Sequence, residues 1–187
     1  QLIDDLAAAC GALEDDAGVR VVVLAGRGRH FSAGADLNWM QRASACTEAE
    51  NLADARKFAA MLQALSGLPK PTIARVQGAA LGGGTGLAAA CDMVVAADNA
   101  QFSTSEVKFG IIPAVISPYV LRAIGPRHAL RYFQTAEKFS AAEAKAIGLV
   151  SELVTLDELD AGVAKLVQSL LTGGPLAQQA AKELIAA

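Results

Sequence analysis

The sequence predicts an α/β fold in which a layered, largely parallel sheet comes first and a mostly helical portion follows. Three observations predict it. A unit of apolar strand, small-residue turn and helix occurs twice and then again in shortened form; the first strand is a β-branched run without polar alternation; and past Ile116 the apolar pattern is helical. At 187 residues the chain fits one domain. Its 53% hydrophobic and 19% charged residues, at a formal charge of −3, exclude a disordered chain and give no nucleic-acid footprint.

Taken in order, Leu2, Ile3, Leu6 and Leu13 recur at helical spacing, and Gly18 stops the pattern. The run "VRVVVLAG" predicts a strand covered on both faces, as in a parallel sheet. Residues from about Thr47 to Ser66 predict a helix with Thr47 and Glu50 as a capping box. In "PKPTIARVQG" two prolines forbid a helical start and β-branched residues alternate after them, which predicts a second strand. The stretch "GAALGGGTGLAAACD" then reads as a glycine-rich turn feeding a short helix, "LAAACD". "MVVAA" is a third strand and "AQFST" a short fourth, before helices starting near Ser117, Pro126, Ser140, Leu156 and Pro175.

Cys10, Cys46 and Cys91 are too far apart for a CxxC pair, and two histidines cannot complete a zinc cluster. They read as buried, reduced thiols in a cytoplasmic compartment. No secretory segment opens the chain, and its apolar runs break well short of a membrane span.

The chemistry is suggested by two turns with almost no side chains, "FSAGADLNWM" and the glycine-rich stretch. Each follows an apolar strand and leaves backbone amides free at an open end. Two such amides converging on one point form an oxyanion hole, and one at a helix N-terminus adds the favourable end of the helix dipole. "GTGLAA" also fits the G-x-G-x-x-A dinucleotide fingerprint, but only six residues separate Gly86 from the strand at Met93. A parallel crossover needs roughly a dozen or more, so that reading is set aside. An acid–base partner is then required, and Glu106 in "QFSTSEVKFGIIPA", among apolar residues and before Pro113, is the candidate. On composition alone the solvated turn glutamate is the favoured reading.

The ordered set "FSAGADL", "VQGAALGGGTGLAAACDMVVAADNAQF", "SEVKFGIIPA" and "FSAAEAKAIGLV" resembles the enoyl-CoA hydratase/isomerase, or crotonase, superfamily from about Leu2 to Ala186. The resemblance implies a crotonase-like spiral of strand-turn-helix units followed by C-terminal helices. It implies a single domain over 1–187 lacking the N-terminal strands and the C-terminal helices, and assembly as a homotrimer or dimer of trimers. The implied substrate is an acyl-CoA thioester whose oxygen sits between the amides of Ala35 and Gly83, with Glu106 as acid–base. Ala33, Gly34, Asp36, Leu37, Trp39 and Gly82 would border the bound thioester. Trp39 and Met40 either line the acyl pocket or pack on the helix that follows. No metal or other cofactor is implied, because the thioester is itself the electron sink and coenzyme A arrives as part of the substrate.

The departure from the family pattern lies at Gly86, where two-glutamate hydratases carry a second carboxylate. The flanking residues most resemble the bacterial branch that hydrates methylglutaconyl-CoA or γ-carboxygeranoyl-CoA, in leucine and terpene breakdown. A distal substrate carboxylate would call for a cation, for which Lys108, Arg122 and Arg42 are candidates. A Δ3,Δ2-enoyl-CoA isomerase, for which one glutamate suffices, and a non-catalytic acyl-CoA-binding relative are the alternatives. His30, beside the first turn, reads as a packing histidine rather than a general base.

Overall fold

The computed structural model describes residues 1–34 and 45–186. Its elements are α1 (Leu2–Asp15), β1 (Val22–Ala25), α2 (Glu48–Gly67), β2 (Thr72–Val76), β3 (Ala79–Leu81), α3 (Gly83–Ala90), β4 (Met93–Ala97) and β5 (Gln101–Ser103). A 3-10 turn (Glu106–Phe109) leads to α4 (Ser117–Thr135), β6 (Phe139–Ser140), α5 (Ala141–Ala146), β7 (Glu152–Val154), a second 3-10 turn (Leu156–Glu158), α6 (Leu159–Leu171) and α7 (Pro175–Ala186).

Two sheets organise these elements. In the larger, all parallel, the order is β1-β2-β4-β7; in the smaller, β3 pairs parallel with β5, and β5 antiparallel with β6. The central strands β2 and β4 are buried on both faces, and their side chains alternate between two apolar layers. Ala74, Val76, Val94 and Ala96 join the main core with α2, α3 and α4, while Ile73, Val95 and Ala97 meet Leu159 and Val163 of α6. This is why "TIARV" and "MVVAA" read as continuous apolar runs.

The α2 capping box is present: the Thr47 side chain accepts from the Glu50 amide while Glu50 reaches back to the Thr47 N–H at 2.8 Å. The turn contact holds the Glu50 carboxyl below its ordinary range. Gly125 (φ 71°, ψ 165°) interrupts α4, so Ser117 and Pro126 each open a helical segment, as the sequence indicates. Three expectations need correction. The run around β1 is not covered on both faces: β1 pairs only with β2 among the described residues, and Val23 is 41% exposed. The short helix begins at Gly83 rather than Leu87 and ends before Cys91 and Asp92. Strands β3, β6 and β7, of two or three residues each, are too short to register as a period-2 pattern. Cys10 and Cys91 are buried as expected, but Cys46 is exposed. Among the described residues no helix is long and apolar enough to cross a membrane.

Candidate active site

The site grows out of the corner between β3 and α3. Buried Thr85 fixes this corner: its hydroxyl lies 2.7 Å from the Ala80 carbonyl and 3.0 Å from that of Ser103, which it can donate to, and it accepts from the Ser103 N–H. The Gly82 N–H donates to the Ser103 carbonyl at 2.7 Å. Gly82 turns the chain at φ +53°, ψ −117°, a conformation that only glycine adopts without strain. Because α3 then begins at Gly83, the amides of its first turn have no acceptor within the helix.

The turn after β1 is laid against this corner. The Phe31 N–H donates to the Gln77 carbonyl, the Ser32 N–H to that of Ala79, and the Leu81 N–H to that of Ser32, with Ser32 and Ala80 forming a parallel bridge. Ser32 also packs so closely on α3 that a Cβ at Gly84 would lie 2.8 Å from its Cβ. Ala33 and Gly34 follow directly, Gly34 beside Leu81. The two small-residue turns are therefore neighbours in space. Ala35, Asp36, Leu37, Trp39, Met40 and Arg42 lie outside the described residues.

His30 is more than packing. Its Nδ1 accepts the Ala79 N–H at 3.0 Å, which ties the approach to the first turn onto β3. Gln77 adds to the strap by donating to the Gly26 and Gly28 carbonyls.

Glu106 arrives from β5, whose end is anchored by buried hydroxyls: Thr104 donates to the Tyr132 carbonyl and Ser103 to that of Ala136. The Glu106 carboxylate rests on the glycine corner, with Oε1 3.4 Å from where a Gly82 Cβ would be and the Ser105 hydroxyl 3.7 Å from the same point. Oε2 is buried and has no hydrogen-bond partner among the described residues. Burial pushes the Glu106 carboxyl above its ordinary range, against a smaller opposing effect of its own backbone amide. The apolar residues that follow it in sequence do not supply this burial, because Phe109, Ile111 and Ile112 are 55%, 56% and 72% exposed. Among the described residues the carboxylate is placed against the β3–α3 corner at Gly82.

Two neighbours carry no local sequence signal. Phe58 of α2 covers Gly83, with Cζ 3.2 Å from a Cβ there. Ile116, just ahead of α4, fills the space outside Gly86. Lys108 and Arg122 are exposed, and neither makes an ion pair among the described residues. A groove of about 350 Å³ lies elsewhere, lined by Glu14, Arg20, Lys70 and Gln178 among others. It carries no comparable acid–base geometry: Lys70 donates to the Leu13 and Asp16 carbonyls and Arg20 to that of Gly173. Among the described residues no cluster of His, Cys, Asp and Glu could hold a metal ion.

This arrangement offers main-chain donors at a helix start and a carboxylate of raised proton affinity, which suits charge developing on a carbonyl oxygen. Comparison with known proteins agrees. The enoyl-CoA hydratase/isomerase family profile matches residues 1–187. A solved Legionella pneumophila structure of the enoyl-CoA hydratase/isomerase (crotonase) group superposes with a TM-score of 0.95 at 47% identity, over 98% of this chain and 71% of that one. Crotonyl-CoA hydratase of Syntrophomonas wolfei is 39% identical over 173 residues, 91% of this chain and 65% of its own length. The 2,3-dehydroadipyl-CoA hydratase of Escherichia coli is 37% identical over 187 residues, 99% of this chain and 69% of its own length. The chain thus spans roughly two thirds of these curated relatives. With a crotonase fold and a match along its whole length, it belongs to the enoyl-CoA hydratase/isomerase family.

Proposed function

We propose that this chain hydrates the C2–C3 double bond of an enoyl-CoA thioester, with Glu106 as acid–base and the amides of Ala35 and Gly83 as donors to the thioester oxygen. The observation that carries this reading is the buried Glu106 Oε2 beside the start of α3, without a hydrogen-bond partner among the described residues. Water attacks C3 as its proton passes to Glu106; the π electrons move onto the thioester as an enolate, and C2 then takes a proton from the Glu106 carboxyl. Each main-chain donor of this kind is worth about 3–4 kcal/mol of barrier lowering. A carboxyl whose proton affinity burial raises serves both halves of the cycle, since it takes a proton more readily than a solvated glutamate and still has one to return. The chain's own residues account for the whole proton balance without a metal or redox cofactor.

The substrate class is the finer part of the proposal. The resemblance in the flanking sequence favours a branched or carboxylated acyl group of the methylglutaconyl type. The relatives divide on this point, one being named for crotonyl-CoA and another for 2,3-dehydroadipyl-CoA. The same reading carries a homotrimer or dimer of trimers in the cytoplasm. The second reading, a Δ3,Δ2-isomerase, is favoured by one specific observation, the space outside Gly86 being filled by Ile116.

Mass spectrometry of products from the intact gene product tests the proposal, with methylglutaconyl-CoA, crotonyl-CoA and a 3-enoyl-CoA offered separately. The expected result is gain of one water on the methylglutaconyl thioester, reduced about a thousandfold in Glu106→Gln. A 3-enoyl thioester that changes retention without changing mass would establish the isomerase instead. Binding without turnover of any of the three would leave the non-catalytic reading.

A further inference from the structure

Gly82 caps α3 and Gly86 lies a single turn into it, the Gly86 N–H donating to the Gly82 carbonyl at 3.2 Å. Glu106 rests against Gly82 and Ile116 against Gly86. The two contacts differ in tightness. A Cβ on Gly82 would sit at ordinary contact, 3.4 Å from Glu106 Oε1, whereas one on Gly86 would lie 2.2 Å from Ile116 Cγ2 and 2.7 Å from its Cβ. Those are the branch atoms of a β-branched side chain, fixed close to the backbone, and cannot swing aside as the tip of a long one can. Ile116 is itself 2% exposed and packed in the main core, so it has nowhere to retreat.

We infer that Ile116 is the specificity-determining residue of this site: by closing α3 at Gly86 it holds the site to one carboxylate and sets hydrocarbon one turn from the glycine against which Glu106 rests. The inference rests on the hydratase/isomerase reading of Glu106 and goes beyond it by naming what sets the balance between its two reactions. In hydration Glu106 must share its neighbourhood with a water that forms the C3–O bond. In double-bond migration it needs no water: it takes a proton from C2 of a 3-enoyl thioester, the electron pair spreads from the thioester to C4, and the same carboxyl returns the proton to C4. An apolar wall favours the second, while room for another polar group favours the first. Glycine at position 86 is then a consequence of Ile116 as much as a lost glutamate.

The test is a cycle of Gly86→Glu, Ile116→Ala and their combination in the intact gene product, with Gly86→Ala as a smaller lesion in case Gly86→Glu does not fold. Two quantities are read: the melting temperature, and the ratio of hydrated to double-bond-shifted product. Gly86→Glu, or Gly86→Ala in its place, should lower Tm by about 5–10 °C through overpacking, and Ile116→Ala should recover at least half of that loss in the double variant. The double variant carrying glutamate should shift the product ratio toward hydration by about tenfold relative to Ile116→Ala alone. A Gly86→Ala protein melting with the wild type, or a folded Gly86→Glu/Ile116→Ala protein with an unchanged product ratio, overturns the inference while leaving the function intact. A wild type inactive on every thioester overturns the functional reading, and the inference falls with it whatever the melting cycle shows.

Discussion

Asp92 and Glu106 are both carboxylates packed against the ends of α3, and the fold provides for them differently. One oxygen of Asp92 accepts from the Thr72 N–H at 2.8 Å, the Thr72 hydroxyl at 2.9 Å and Lys182 Nζ at 2.9 Å, while the Asp92 N–H donates to the Thr72 hydroxyl. Glu106 keeps one oxygen buried without a partner among the described residues. The first carboxylate has three donors on one oxygen and joins the start of β2, the link before β4 and α7. The second is left with unmet capacity at the mouth of a helix. A buried polar group without a partner typically costs about 1–3 kcal/mol, which is the free energy a partner to Glu106 would recover. The difference separates a clamp from the proposed working group more clearly than charge or residue type does.

The comparison breaks most visibly with Glu106→Gln. Besides its loss of turnover, this variant should be more stable than the wild type by about 2–5 °C in Tm at pH 8. The sign follows from the raised carboxyl. Below the ordinary glutamate value both folded and unfolded states are protonated and nothing is lost; as pH rises through the folded value, ionisation favours the unfolded chain. The gain from glutamine should therefore disappear near pH 4, and in the wild type the acid limb of kcat/KM should lie above the ordinary carboxylate range. A pH-independent Tm difference would count against burial as the cause.

Asp92→Ala should act the other way, costing about 2–3 kcal/mol in denaturant unfolding because the Thr72 N–H is left unpaired, with kcat of the folded fraction little changed. Lys182→Met, which removes one donor and leaves both from Thr72, should cost only about 1 kcal/mol by the same measurement. If Lys182→Met proved as damaging as Asp92→Ala, the ion pair rather than the threonine ring would be the clamp.

Much of this was legible in the chain because the central strands are buried on both faces, and the α2 capping box is local. Glu106 was legible only as a candidate, since its carboxylate is placed against the β3–α3 corner and not among its neighbours Phe109 to Ile112. Ile116 and Phe58 were not legible at all: they meet Gly86 and Gly83 across tens of residues, and nothing in their own surroundings marks them. The surroundings of β1, which pairs only with β2 among the described residues, were misread for a related reason. A β-branched run records strand propensity but not how many neighbours the strand will have.

The start of α3 in glycine has a consequence for how this protein would look to a mutational scan. A main-chain N–H survives every side-chain replacement, so substitution to alanine would register Glu106 sharply and pass over any donor that the corner supplies. What it would register at Gly82, Gly84 and Gly86 is crowding, a loss of fit with no information about charge. Only replacing the amide itself, for instance by an ester linkage at position 83, would remove the donor and leave the shape.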